Sequence, residues 1–224
     1  MGTVPEVFGN PNQNVIQSFS FTDLASGTGI VEYFGAKDED TLLLTATPFF
    51  SNRVITTVDH SSPGGVDNTT FDLDFDVKFN LPRTINGEVI VNVPFIIRNL
   101  FGTTQNYEVY FKIYVRKWDG STETEIANDT GEQLSISLTA SPAEQAAKLT
   151  TSVTVSNALF GVNDSLRITV EGHFWNGGTT SRYSIGHSPN NQPTDIFQVA
   201  AGSGITFGSE RSVLSVLVPF KIFT

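Results

Sequence analysis

Residues 105–118 read Gln-Asn-Tyr-Glu-Val-Tyr-Phe-Lys-Ile-Tyr-Val-Arg-Lys-Trp, and their alternation decides the fold class. Tyr107, Val109, Phe111, Ile113 and Val115 fall on one side of an extended chain; Glu108, Tyr110, Lys112, Tyr114 and Arg116 fall on the other. Successive side chains of a β-strand point to opposite faces, so this spacing predicts a strand with one buried and one wet face. At ~3.3 Å per residue it spans roughly 40 Å.

The same period recurs on either side. Phe71, Leu73, Phe75, Val77 and Phe79 alternate with Asp72, Asp74, Asp76 and Lys78. Strand-like stretches stand at 15–21, 29–34, 41–46, 53–58, 88–97, 122–127, 132–139, 149–155, 165–175, 179–186 and 213–223, separated by Gly, Pro, Asp and Asn clusters. Asn86-Gly87, Asp119-Gly120 and Asn176-Gly177-Gly178 are tight-turn signals, because these residues tolerate positive φ. They predict a hairpin from 122–127 back onto 105–118 and a long hairpin joining 165–175 to 179–186. Pro94 argues for an edge or a bulge, since it lacks a ladder donor.

One helix signal interrupts the pattern. Ser141-Pro142-Ala143-Glu144 has a capping Ser, a Pro suited to the first turn and a Glu three residues on, predicting at most two turns through Leu149. Residues 1–14, punctuated by Pro5, Gly9 and Pro11, read as an extended arm, and 187–211, rich in Pro, Asn, Gly and Ser, as a long loop. Residues 15–224 are expected to form a single all-β domain of roughly ten to twelve strands, an antiparallel β-sandwich with jelly-roll-like connections.

Composition narrows the function classes. The 224 residues carry 18 Phe and 39 % hydrophobic residues, enough apolar surface to offset the entropy of ordering the chain. A formal net charge of −10 disfavours nucleic acid and anionic lipid as partners. Without cysteine there are no disulfides or thiolate metal sites. The first residues lack the basic start and apolar run of a secretory signal, and no stretch approaches the ~20 apolar residues of a spanning helix. The expectation is a soluble protein that is not exported by that route.

Reactive chemistry is not signalled. His60, His173 and His187 are scattered, without the i, i+4 spacing of a helical zinc site. Asp72, Asp74 and Asp76 alternate within a strand, so their carboxylates are expected to stand ~7 Å apart in a row rather than converge on calcium. A loop carboxylate such as Asp67 joining one of them around a cation is the alternative. Gly202, Gly204 and Gly208 miss the dinucleotide spacing, and no Gly-x-Ser-x-Gly occurs. No catalytic residue, cofactor or metal is expected, and the chain reads as a non-enzyme. Asn68, Asn128 and Asn163 begin glycosylation sequons of the kind a Thr- and Ser-rich chain produces by chance. Trp118, Trp175, Tyr110, Tyr114 and Tyr183 suit either a sugar-binding platform or packing in core and subunit interface.

The strand 107–118, the run Leu166-Arg-Ile-Thr-Val-Glu-Gly-His-Phe-Trp175, the segment Thr180-Ser-Arg-Tyr-Ser-Ile-Gly-His-Ser-Pro189 and the closing strand 213–223 resemble virion proteins of tailed bacterial viruses. That resemblance implies a structural capsid-associated protein, decoration or minor capsid, made in the host cytoplasm and residing in the virion. It further implies assembly as a homo-oligomer, commonly a trimer, with other virion proteins. The alternative it carries is a tail or fibre module binding carbohydrate or receptor. Tyr110, Lys112, Tyr114 and Arg116, with His187 and Pro189 from the loop, are the candidate interface.

Overall fold

The computed structural model describes residues 28–38, 40–47, 55–61, 69–140, 143–176, 180–185 and 213–221. Within them run β1 (Thr28–Asp38), β2 (Thr41–Thr45), β3 (Thr56–Ser61), β4 (Thr69–Lys78), β5 (Arg83–Asn99), β6 (Gln105–Trp118), β7 (Glu123–Thr130), β8 (Leu134–Leu138), β9 (Ala143–Phe160), β10 (Ser165–Trp175), β11 (Thr180–Ile185) and β12 (Ser215–Lys221). The expected arm at 1–14, the strand at 15–21 and the loop at 187–211 lie outside the described residues.

The all-β expectation holds. The strands follow one hydrogen-bonded path, β3-β11-β5-β12-β1-β2-β4-β10-β6-β7, with β8 beside β6 and β9 beside β5. All pairings are antiparallel except β2 with β4, which meet in parallel at Leu43 and Asp76. The path curls until β9 lies against β6 and β7, so the sandwich is nearly closed into a barrel.

The core is where the alternation predicted it. Phe95 of β5 meets Phe111 of β6 and Phe174 of β10 at ring-centroid separations of 5.5 and 6.0 Å, both edge-on. Phe71 of β4 adds a contact to Phe174 at 5.6 Å. These rings and Phe75 are buried, and full burial of one such side chain stabilises by about 1.5–3 kcal/mol. At one end Phe79 packs edge-on against Phe160 and Phe220, closing the barrel there.

Four local expectations are corrected by pairing over long sequence distance. The predicted helix at 141–149 is instead the start of β9 over its described part, 143–149; from Ala143 to Phe160 this strand runs antiparallel to β5. A capping box stabilises by about 1 kcal/mol, whereas a ladder of this length offers a hydrogen bond or an apolar contact at nearly every residue. Asn86-Gly87 does not turn the chain. β5 runs through it with a register shift against β9, and Gly87 takes φ 127° as a bulge residue. Asn86 Oδ1 accepts the backbone N–H of Asn157, which itself has φ 48° on the facing strand.

Pro94 is not on an edge: β5 is flanked by β9 along its length and by β12 and then β11 on its other side. Asn92 pairs with β12 and Phe95 with β11, so Pro94 sits where one neighbour hands over to the next and a missing donor is tolerated. Lastly, β10 and β11 form no hairpin; β10 lies between β4 and β6, while β11 crosses to pair with β3 and β5. The β6–β7 hairpin through Asp119-Gly120 is as expected, with Gly120 at φ 98°.

Candidate functional site

The outer face of β4, β10, β6 and β7 gathers most of the polar chemistry among the described residues. Antiparallel register aligns Asp76, Arg167 and Arg116 in one row, Asp74, Thr169, Tyr114 and Asn128 in the next, and Asp72, Glu171, Lys112 and Thr130 in a third. Directly opposed side chains interact across a ladder, so opposite charges on the same row attract and like charges repel.

Arg167 is the centre. Its Nε and Nη2 donate to Asp76 Oδ1 and Oδ2 at 2.8 and 2.7 Å, a bidentate pair. Its Nη1 donates to Glu123 Oε2 at 2.6 Å and lies 3.5 Å from Asp74 Oδ2. Glu123 is shared with Arg116, 2.9 Å away, and the Arg167 guanidinium lies over the Trp118 ring. Hydrogen bonds to Asp76 and Glu123 make the guanidinium hold its proton more firmly than usual. Thr169 Oγ1 donates to Asp74 Oδ1 at 2.6 Å.

The row of aspartates therefore differs from the expected stripe. Asp74 and Asp76 both meet Arg167, and Asp72 is left facing Glu171. Partial desolvation, then the Asp74 and Glu171 charges, hold the Asp72 carboxyl above the usual carboxylate range. No group of three or more His, Cys, Asp or Glu able to hold a metal occurs among the described residues, and Asp67 lies outside them.

Of the candidate interface residues, Tyr110, Lys112, Tyr114 and Arg116 lie together on this face, and His187 and Pro189 are outside the described residues. Tyr114 is nearly buried, with Lys112 Nζ 4.7 Å and the Arg116 guanidinium 4.5 Å from its ring centre. Its hydroxyl donates to Glu171 Oε2 at 3.1 Å. Tyr110 stacks flat on His173 at 4.6 Å, and His173 Nε2 is 3.5 Å from Glu171 Oε2. The aromatic platform is divided, because Tyr183 is fully buried in the core beside Tyr107, while Trp118, Tyr110 and the largely covered Tyr114 belong to the outer face. Sequence reasoning missed Arg167, Thr169, Glu171 and Glu123. The parity of 165–175 places the first three on the face opposite Leu166, Ile168 and Val170, but nothing local says which strands flank it.

This is an all-β sandwich whose outer sheet carries an Arg167-centred ion network. No family model and no curated protein matches the sequence. Among solved structures, an α-amino acid ester hydrolase matches with a TM-score of 0.51 at 9 % identity, over 84 % of this chain and 36 % of that one. An aminopeptidase from a marine-sediment Thaumarchaeota archaeon matches with a TM-score of 0.50 at 6 % identity, with the same coverages. The chain thus spans little more than a third of the length of these enzymes, and the likeness is one of fold.

These comparisons correct the functional expectation drawn from the resemblance to virion proteins. The particle structure that matches, infectious bursal disease virus, does so with a TM-score of only 0.26 at 13 % identity. The capsid, decoration and tail-fibre readings, and the reading of the chain as a non-enzyme, are overturned by the likeness in fold to an α-amino acid ester hydrolase and an aminopeptidase. The sequence misled because amphipathic strands and exposed aromatics are common to β-sandwiches of many functions.

Proposed function

We propose that the chain is the β-sandwich part of a hydrolytic enzyme that cleaves ester or amide bonds. The carrying observation is the backbone likeness over 84 % of the chain to an α-amino acid ester hydrolase and an aminopeptidase. The net charge of −10 supports a substrate with a free amino group, since an acidic protein raises the local concentration of cations and speeds their encounter. In such an enzyme the Arg167-centred sheet serves as a rigid wall whose side chains are held by one another.

The test is hydrolysis of aminoacyl p-nitroanilides and aminoacyl esters, each beside its N-acetylated counterpart, by the chain alone and by the natural protein or complex containing it. Release of p-nitroaniline or alcohol, faster for the free amine and more so at low salt, is the expected result. Absence of turnover in both preparations overturns the proposal.

A further inference from the structure

Leu81, Leu159 and Val162 are the most exposed large apolar side chains among the described residues, at 64, 63 and 55 %. They occupy one place. Leu81 lies in the turn between β4 and β5, Val162 in the turn between β9 and β10, and Leu159 pairs with Thr84 beside them. The two turns are tied by backbone hydrogen bonds from Phe79 N–H to Asp164 O, 2.9 Å, and from Asn163 N–H to Phe79 O, 2.8 Å. Those bonds extend the β4–β10 pairing past Lys78 and Ser165 and bring the two turns side by side. Single exposed apolar residues need no explanation, but a cluster rimmed by charge marks a contact surface.

The rim is cationic on a chain that is otherwise strongly acidic. Lys78 ends β4, Arg83 begins β5, Lys117 lies next to last in β6 and Lys221 ends β12, all at this end of the barrel. Lys117 is spent on Asp164, 2.7 Å away, but Lys78, Arg83 and Lys221 make no ion pair among the described residues. On the outer sheet Asp72 is exposed, faces Glu171 and has no cation bonded to it. At this end Lys78, Arg83, Lys117 and Lys221 outnumber the carboxylates Asp119 and Asp164, whereas on the outer sheet carboxylates are in excess.

We propose that this apolar, cation-rimmed end docks onto the outer sheet of a second copy of the chain around its exposed Asp72, which faces Glu171. The contact is heterologous, end to face, so copies add head to tail. The occupant is a second copy because the charge the end lacks is what the same chain's outer sheet carries in excess. This proposal stands apart from the hydrolytic reading, as it concerns only how copies meet.

The experiment is sedimentation velocity on the purified chain over a range of concentrations. Mass should rise with concentration at low salt and return to that of a monomer at high salt, where charges are screened within ~3 Å. K78E/K221E and D72K should each be monomeric alone and fully folded by circular dichroism, and L81S/V162S should weaken association without restoring it on mixing. Mixing K78E/K221E with D72K restores complementary surfaces and should restore assembly. A wild-type monomer at low salt overturns the proposal, as does association that persists in either charge variant or fails to return in the mixture.

Discussion

Arg167 of β10 holds Asp76 of β4 by two parallel hydrogen bonds of 2.8 and 2.7 Å, joining residues 91 positions apart in the chain. A guanidinium fork matches the two carboxylate oxygens as a lysine ammonium does not. Because Asp74 and Glu123 also meet Arg167, its removal leaves Asp74 and Asp76 without their cation, and Glu123 with Arg116 alone, on a partly buried face.

Arg167→Ala is therefore expected to destabilise by about 1.5–3 kcal/mol, the range for hydrogen bonds to charged groups. Arg167→Lys should recover only part of that. Urea unfolding at low and high salt checks both, and an alanine variant as stable as wild type would remove Arg167 from the centre of the network.

Phe95 tests the core. It is fully buried among Phe111 and Phe174, so Phe95→Ala should cost about 3–5 kcal/mol, loss of transfer energy plus a cavity. Leu81→Ala, at an exposed tip, should stay within about 0.5 kcal/mol of wild type. Thermal melts of the two variants side by side measure the contrast.

Gly172 lies against the Phe71 ring at the point where β10 slips register against β4. A Cβ there runs into the ring, and Gly172→Ala should destabilise by about 1–3 kcal/mol through overpacking. Phe71→Leu alone is destabilising too, but in the double variant the smaller side chain makes room. A double-mutant cycle showing simple additivity would deny the contact.

The pH response separates two aspartates. The Asp72 carboxyl titrates above its ordinary range in the folded chain, so the fold binds that proton more tightly than the unfolded chain does. Stability then falls as pH rises from the ordinary carboxylate value through the raised one. Asp72→Asn should stabilise at neutral pH and do nothing in stronger acid. Asp164 is the reverse: its hydrogen bond with Lys117, then that from the Gly161 N–H, pull it below the usual range. Its contribution is present above the ordinary carboxylate value and is lost as pH falls through the lowered one, so Asp164→Asn should destabilise only above that window. Denaturant midpoints from acid to neutral pH give both signs.

Buried tyrosines supply a spectroscopic check. Burial pushes Tyr33 up to about 12, offset partly by Arg83, and raises Tyr183 further. The phenolate absorbance of these two should therefore appear late in an alkaline titration and coincide with loss of near-ultraviolet circular dichroism. Early ionisation of Tyr33 and Tyr183 with the fold intact would contradict their burial.

The parts of the fold legible in the sequence are those written as period-two alternation. β4, β6 and β10 were read with their buried faces correct, because burial of Phe75, Phe111 and Ile168 depends on parity alone. The candidate face was half legible: Tyr110, Lys112, Tyr114 and Arg116 share a side of β6, but their partners Glu171 and Glu123 come from strands whose adjacency no local signal records. Likewise Asn86-Gly87 and Ser141 to Glu144 carried true local preferences that the β5–β9 ladder overrode.

By itself the sequence determined that the chain is built of strands and which side of each strand is apolar, since alternation follows from backbone geometry. Only the tertiary structure decided that β9 lies on β5, that β10 parts from β11, and that Arg167 reaches Asp76, Asp74 and Glu123. The physical reason is that any two amphipathic strands offer each other similar hydrogen bonds, so the choice of neighbour falls to packing and charge matching between residues far apart in the chain.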